Sequence, residues 1–117
     1  MDAPLITEDY VREKLAQAVR ALATGTGPLH QRLLLASLAT STLQPRDFVD
    51  DESRAGFGAI IEMLTRHEAL ADEGRVRATL ARMSADEARS VAKRFLELDA
   101  HYQPLSFFAG KSIRDQR

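Results

Sequence analysis

The sequence predicts a single all-α domain: a small bundle of about four to five antiparallel helices over residues 1–104, then an irregular C-terminal tail over 105–117. Three observations carry this. Apolar residues recur at three- and four-residue spacing along most of the chain. No segment alternates apolar and polar residues as a half-buried strand would. Helix breakers and caps punctuate the periodic segments at Gly25–Pro28, Pro45, Gly74, Ser84 and Pro104.

The first helix is expected from Thr7 to Leu22. Thr7 is the N-cap, Glu8 and Asp9 favour the positive end of the helix dipole, and Val11, Leu15, Ala18, Val19 and Leu22 form one stripe. Pro28 suits the first turn of a second helix, expected to reach Ser41 or Leu43. Leu33, Leu34 and Leu35 spread over roughly 200° of its surface. With Leu29 and Leu38, they make this the expected central helix, apolar on more than one side. A short turn at Pro45–Phe48 precedes a third helix, capped by Asp50 or Asp51 and running to about His67. Gly56 and Gly58 each cost roughly 1 kcal/mol inside it. Either Ala55, Gly58 and Ala59 let a neighbour approach closely, the favoured reading, or the helix begins nearer Gly58 and Asp50–Phe57 is a looser segment. A polar connection, Glu68–Gly74, leads to a fourth helix over Arg75–Met83. Ser84 and Glu87 form a capping box for a fifth, with core stripe Ala88, Val91, Ala92, Phe95, Leu98 and Tyr102 and an end at Pro104.

The chain has 117 residues and a mass of 13.0 kDa, which suits one domain. It is 44% hydrophobic and 28% charged, enough to fill a core. A formal charge of −1 argues against a strongly basic nucleic-acid binder. The absence of cysteine excludes disulfides, thiolate metal sites and a cysteine nucleophile. The apolar runs Leu33–Ala36 and Ala59–Ile61 are far too short to span a membrane. The opening residues, MDAPLITEDY, lack a secretory pattern, so the expected location is the cytoplasm.

No catalytic signature is complete. Gly110-Lys111-Ser112 ends like a phosphate-binding loop, but Leu105 stands where that loop requires glycine. There is no nucleophile elbow. Glu97 and His101 lie one turn apart without a third metal ligand, so neither metal nor cofactor is expected. Positive charge gathers at Arg75, Arg77, Arg82, Arg89, Lys93 and Arg94, and the turn at Ser84 allows a helix-turn-helix. Asp86 and Glu87, however, sit at the end that would meet the bases.

Arg94 and His101 are separated by six residues and fall on one helix face. Their spacing resembles the Arg-x4–6-His motif of the HEPN family, helical bundles that include metal-independent ribonucleases. That resemblance implies phosphate stabilisation by Arg94 and proton transfer by His101, at a dimer interface. Phe95 departs from the polar residue usual after the arginine. Thirteen arginines and three histidines give about one such match by chance.

The favoured expectation is a non-enzymatic accessory or interaction protein that binds a protein partner or itself, with a homodimer expected. Two features motivate it: the many-sided apolar second helix, and the tail pair Phe107–Phe108 beside Lys111 and Arg114. The alternative is nucleic-acid binding through Arg82, Arg89, Lys93 and Arg94, or RNA cleavage using Arg94 and His101.

Overall fold

Three helices begin where a short polar side chain meets a free backbone N–H. The computed structural model describes residues 6–68 and 74–115, with 105–115 as backbone only. It contains α1 (Glu8–Thr24), α2 (Leu29–Ala39), a 3-10 turn (Pro45–Asp47), α3 (Asp51–Leu64), α4 (Arg75–Arg82) and α5 (Ala85–Asp115), a helical bundle with no strand among the described residues. The Thr7 hydroxyl accepts from the Tyr10 N–H (3.1 Å), opening α1, and Asp50 accepts from the Ser53 N–H (3.2 Å), opening α3. Ser84 and Glu87 close the capping box of α5: each backbone N–H donates to the other's side chain, at 2.8 and 3.1 Å.

The α1–α2 turn is closed by an arginine. Arg32 donates from Nη1 to the Leu22 carbonyl (2.7 Å) and from Nε to the Gly27 carbonyl (2.9 Å). The first bond supplies a donor to a carbonyl that the end of α1 leaves unpaired, and the second ties the turn itself. Gly25 is required here: a Cβ would lie 2.6 Å from the Ala21 oxygen and 2.7 Å from Arg32 Cγ.

The centre of the bundle is α5, not α2 as the leucine cluster suggests. Ala88, Val91, Phe95, Leu98 and Tyr102 are all buried, and α1, α2 and α3 pack around them. Only Leu33 and Ala36 of α2 are fully buried, while Leu35 and Leu38 remain 45% and 54% exposed. Three consecutive leucines spread over roughly 200° of the helix, and α1, α4 and α5, which pack on α2, leave Leu35 and Leu38 about half exposed. Helix α2 also stops at Ala39, short of Ser41. The Thr40 hydroxyl donates back to the Ala36 carbonyl (3.1 Å), a local bond that competes with helix continuation.

The second correction concerns Pro104 and the tail. Helix α5 passes through Pro104 and continues to Asp115, so the backbone there is helical rather than irregular. Proline removes one helical donor, at a cost of about 3 kcal/mol. Just before it, Tyr102 is buried and Gln103 donates to the Arg12 carbonyl (3.0 Å) and to Asp99 (2.8 Å), anchoring the helix on α1. The glycines of α3 correct a third expectation. A Cβ on Gly56 would lie 3.6 Å from Leu98, and one on Gly58 would lie 3.8 Å from Pro45, so neither position is crowded. Most of the Glu68–Gly74 connection lies outside the described residues.

The core is aromatic where the turn, α3 and α5 meet. Phe48 packs on Phe57 with ring centroids 5.0 Å apart, and on Tyr102 at 4.9 Å in an edge-on arrangement.

Candidate functional site

Two of the grooves that border α3 differ in their chemistry. The first lies between α2, α3 and α4 and has a volume of about 260 Å³. Its floor is apolar, formed by Phe57, Ile60, Ile61, Leu64 and Val76. Its rim carries hydroxyls: Ser37 and Ser41 on one side, Thr65 on the other. The groove exists because α2 ends early and the chain turns away through Thr40–Gln44, leaving the start of α4 to face small side chains. Ser37 and Ser41 flank Leu38 in sequence, so the groove opens directly beside the outward leucines of α2.

The second groove, about 150 Å³, lies between α3 and α5 and is lined by Glu52, Gly56, Arg94, Glu97, Leu98 and His101. Gly56 leaves the space that a larger residue would fill. Here the His101 Nε2–H donates to Asp50 Oδ2 (2.9 Å), and Nδ1 lies 3.8 Å from Glu52. The hydrogen bond to Asp50 raises the His101 pKa above its ordinary value, against partial burial, and the Glu52 charge adds to the rise. Burial opposes ionisation of Asp50. Hydrogen bonds from Ser53 and His101 outweigh it and hold the carboxyl below its ordinary value. Asp50 therefore caps α3 and clamps α5 with one carboxylate.

Arg94 and His101 do share a groove, as their spacing requires. They share it with Glu52 and Glu97, and His101 is already engaged by Asp50. Three of the remaining basic residues have a carboxylate nearby: Arg89 pairs with Asp86, Lys93 lies 3.8 Å from Glu97, and Arg75 lies 3.8 Å from Glu68. Local pairing of this kind weakens the electrostatic footprint that nucleic-acid binding relies on. No group of three or more His, Cys, Asp or Glu side chains is placed to hold a metal among the described residues. Of the other two histidines, the His30 ring serves the fold, its Nε2–H donating to the Met83 carbonyl (2.8 Å), whereas at His67 it is the backbone N–H that donates to the buried Thr79 hydroxyl (2.9 Å). The side chains of Phe107, Phe108, Lys111 and Arg114 lie outside the described residues.

Comparison with family models, curated proteins and solved structures gives no match. No helix among the described residues is long and apolar enough to cross a membrane.

The apolar groove is the feature that sequence reasoning missed. Its signal was present in part: residues 33–45 carry no charge in a chain that is 28% charged. Which leucines of that run face outward depends on how α2 packs.

Proposed function

We propose that this chain is a small non-enzymatic interaction module that binds a protein chain through the outward face of α2 and the groove beside it. The observation that supports this reading is the continuity of two apolar features. The half-exposed Leu35 and Leu38 adjoin a groove with an apolar floor. Contiguous apolar surface of this sort marks protein contact sites, whereas single exposed leucines do not. A photo-crosslinking residue at position 38, introduced into the full chain in cells that make it, tests the reading. A protein adduct is expected from position 38 and not from position 96, another half-exposed leucine, on α5. Absence of any adduct from position 38 would remove the reading.

A second reading, RNA binding or cleavage, is favoured by Arg94 and His101 lining one groove. The acids in that groove and the engagement of His101 by Asp50 weigh against it. Steeply salt-dependent RNA binding, together with cleavage lost in His101→Ala, would bring this reading forward.

A further inference from the structure

We infer that the start of α3 is a flap latched to α5 by a proton: protonated His101 holds residues 49–56 shut through Asp50, and loss of that proton lets them open while the rest of the bundle stays folded. The inference concerns the polar groove and does not rest on the interaction reading.

Packing defines the flap. Phe48 and Phe57 are 1% and 2% exposed and fix its two ends in the aromatic core. Between them only Ser53 is buried, so this stretch adds almost no apolar burial to the fold. Gly56 brings no side chain to α5, although a Cβ there would lie 3.6 Å from Leu98. Segments with so few buried apolar contacts open at a lower free energy than the whole chain unfolds.

One side chain on α5 fastens it. Arg54 donates to the Phe48 (2.8 Å) and Val49 (3.4 Å) carbonyls and to Asp51 (2.8 Å), and Asp50 accepts from the Ser53 N–H. These bonds lie within the flap or at its hinge and move with it. Among the described residues, only the contacts of His101 with Asp50 and Glu52 tie residues 49–56 to another element by a hydrogen bond or ion pair. Asp50 Oδ1 is buried without a hydrogen-bond partner, so the closed flap also carries an unmet acceptor.

The fastening depends on charge. Both ring nitrogens face carboxylates, Nε2 toward Asp50 at 2.9 Å and Nδ1 toward Glu52 at 3.8 Å. The imidazolium offers a donor to each. A neutral ring leaves one nitrogen bare beside a negative charge, and its bond to Asp50 is no longer charge-assisted. On α5 itself, Arg94 and Glu97 line the same groove with opposite charges. The helices α1 and α2 also pack on α5, but their nearby cationic groups are engaged elsewhere: Arg12 with Asp9, Arg32 with the Leu22 and Gly27 carbonyls, and His30 with the Met83 carbonyl. Glu52 and Gly56 form the α3 wall of the groove, so an open flap parts that wall from Arg94 and His101.

The chain has no cysteine, so a single introduced thiol reads the opening. Ser53→Cys places it in the flap and Val91→Cys places it in the core of α5, both at positions with 0% exposure. Labelling rates divided by that of an exposed thiol at the same pH give the opening equilibrium at each position. The Ser53→Cys thiol should open more often than the Val91→Cys thiol. Its opening should rise between about pH 5.5 and about pH 8.5, roughly tenfold for every unit by which the His101 pKa, read by NMR, stands above the ordinary value. Adding His101→Gln, which does not titrate, should abolish the rise. Should Ser53→Cys fail to fold by circular dichroism, exchange of the Arg54 amide, which donates to the Asp50 carbonyl (3.0 Å), reads the same opening in the wild type and in His101→Gln. Equal opening at positions 53 and 91 would overturn the flap, because the motion would then be global unfolding. Opening that ignores pH, or that still rises with pH in His101→Gln, would overturn the latch.

Discussion

The two grooves beside α3 are built from opposite materials. The α3–α5 groove is polar and partly paired: His101 donates to Asp50, 51 residues earlier in the chain, and lies 3.8 Å from Glu52. The α2–α3–α4 groove has an apolar floor continuous with the core, through Phe57 and its contact with Phe48. The polar groove spends Asp50 Oδ2 and His101 Nε2 on the fold, while Asp50 Oδ1 is buried without a hydrogen-bond partner. An apolar groove beside outward leucines leaves surface whose burial would stabilise a contact, at roughly 25 cal/mol per Å².

The largest effect should come from the floor of the apolar groove. Phe57 is almost fully buried and stacks on Phe48, so Phe57→Ala should cost about 3–5 kcal/mol, read from urea unfolding. A loss below about 1 kcal/mol would show that this wall is not part of the core and would break the contrast between the grooves.

The polar groove should respond less, and with pH. Asp50→Ala removes a helix cap and the His101 acceptor, and should cost about 1–2 kcal/mol near pH 5.5. Asp50 has a lowered folded pKa. Its contribution is complete above the ordinary 3.8 and is lost as pH falls through the folded value. His101 has a raised folded pKa. Its contribution is complete below the ordinary 6.5 and is lost as pH rises through the folded value. The clamp is therefore fully present between 3.8 and 6.5. Urea midpoints of the wild type should fall relative to His101→Ala between about pH 5.5 and about pH 8.5. Parallel pH profiles for the two proteins would mean the clamp contributes nothing to stability.

What was legible in the sequence was what chain-local chemistry decides. Thr7 and Ser84 could be read as caps, and Asp50 as one of two candidates beside Asp51, because capping involves residues only three apart. The shared face of Arg94 and His101 followed from helix geometry. The Asp50–His101 clamp did not, since nothing local links a cap on α3 to a histidine on α5. The orientation of α2 was equally hidden: Leu33, Leu34 and Leu35 define no single stripe, and the packing of α1 and α5 decides which turns in. The helical course beyond Pro104 was missed because proline states a preference that neighbouring anchors can outweigh.

Two glycines sharpen the comparison at smaller scale. Gly25→Ala pushes a Cβ against a backbone oxygen at 2.6 Å, which cannot move cheaply, and should destabilise by more than about 1 kcal/mol. Gly56→Ala places its Cβ 3.6 Å from Leu98, an ordinary contact, and removes a helix-interior glycine. It should stabilise by about 0.5–1 kcal/mol while narrowing the polar groove. A destabilised Gly56→Ala protein would mean that this groove needs its width.

The smallest expected effect is the most discriminating. Leu35→Ser and Leu38→Ser change side chains that are about half exposed, so the stability of an isolated chain should shift by no more than about 0.5 kcal/mol. Thermal midpoints measured on dilute protein should therefore match the wild type. With the protein crosslinked at position 38 added as partner the outcomes should part, because a bound partner stabilises only a chain that retains the contact. The wild-type midpoint should rise with partner concentration and the Leu38→Ser midpoint should stay flat. If both rise together, the outward leucines are ordinary surface and the apolar groove is a feature of the fold alone.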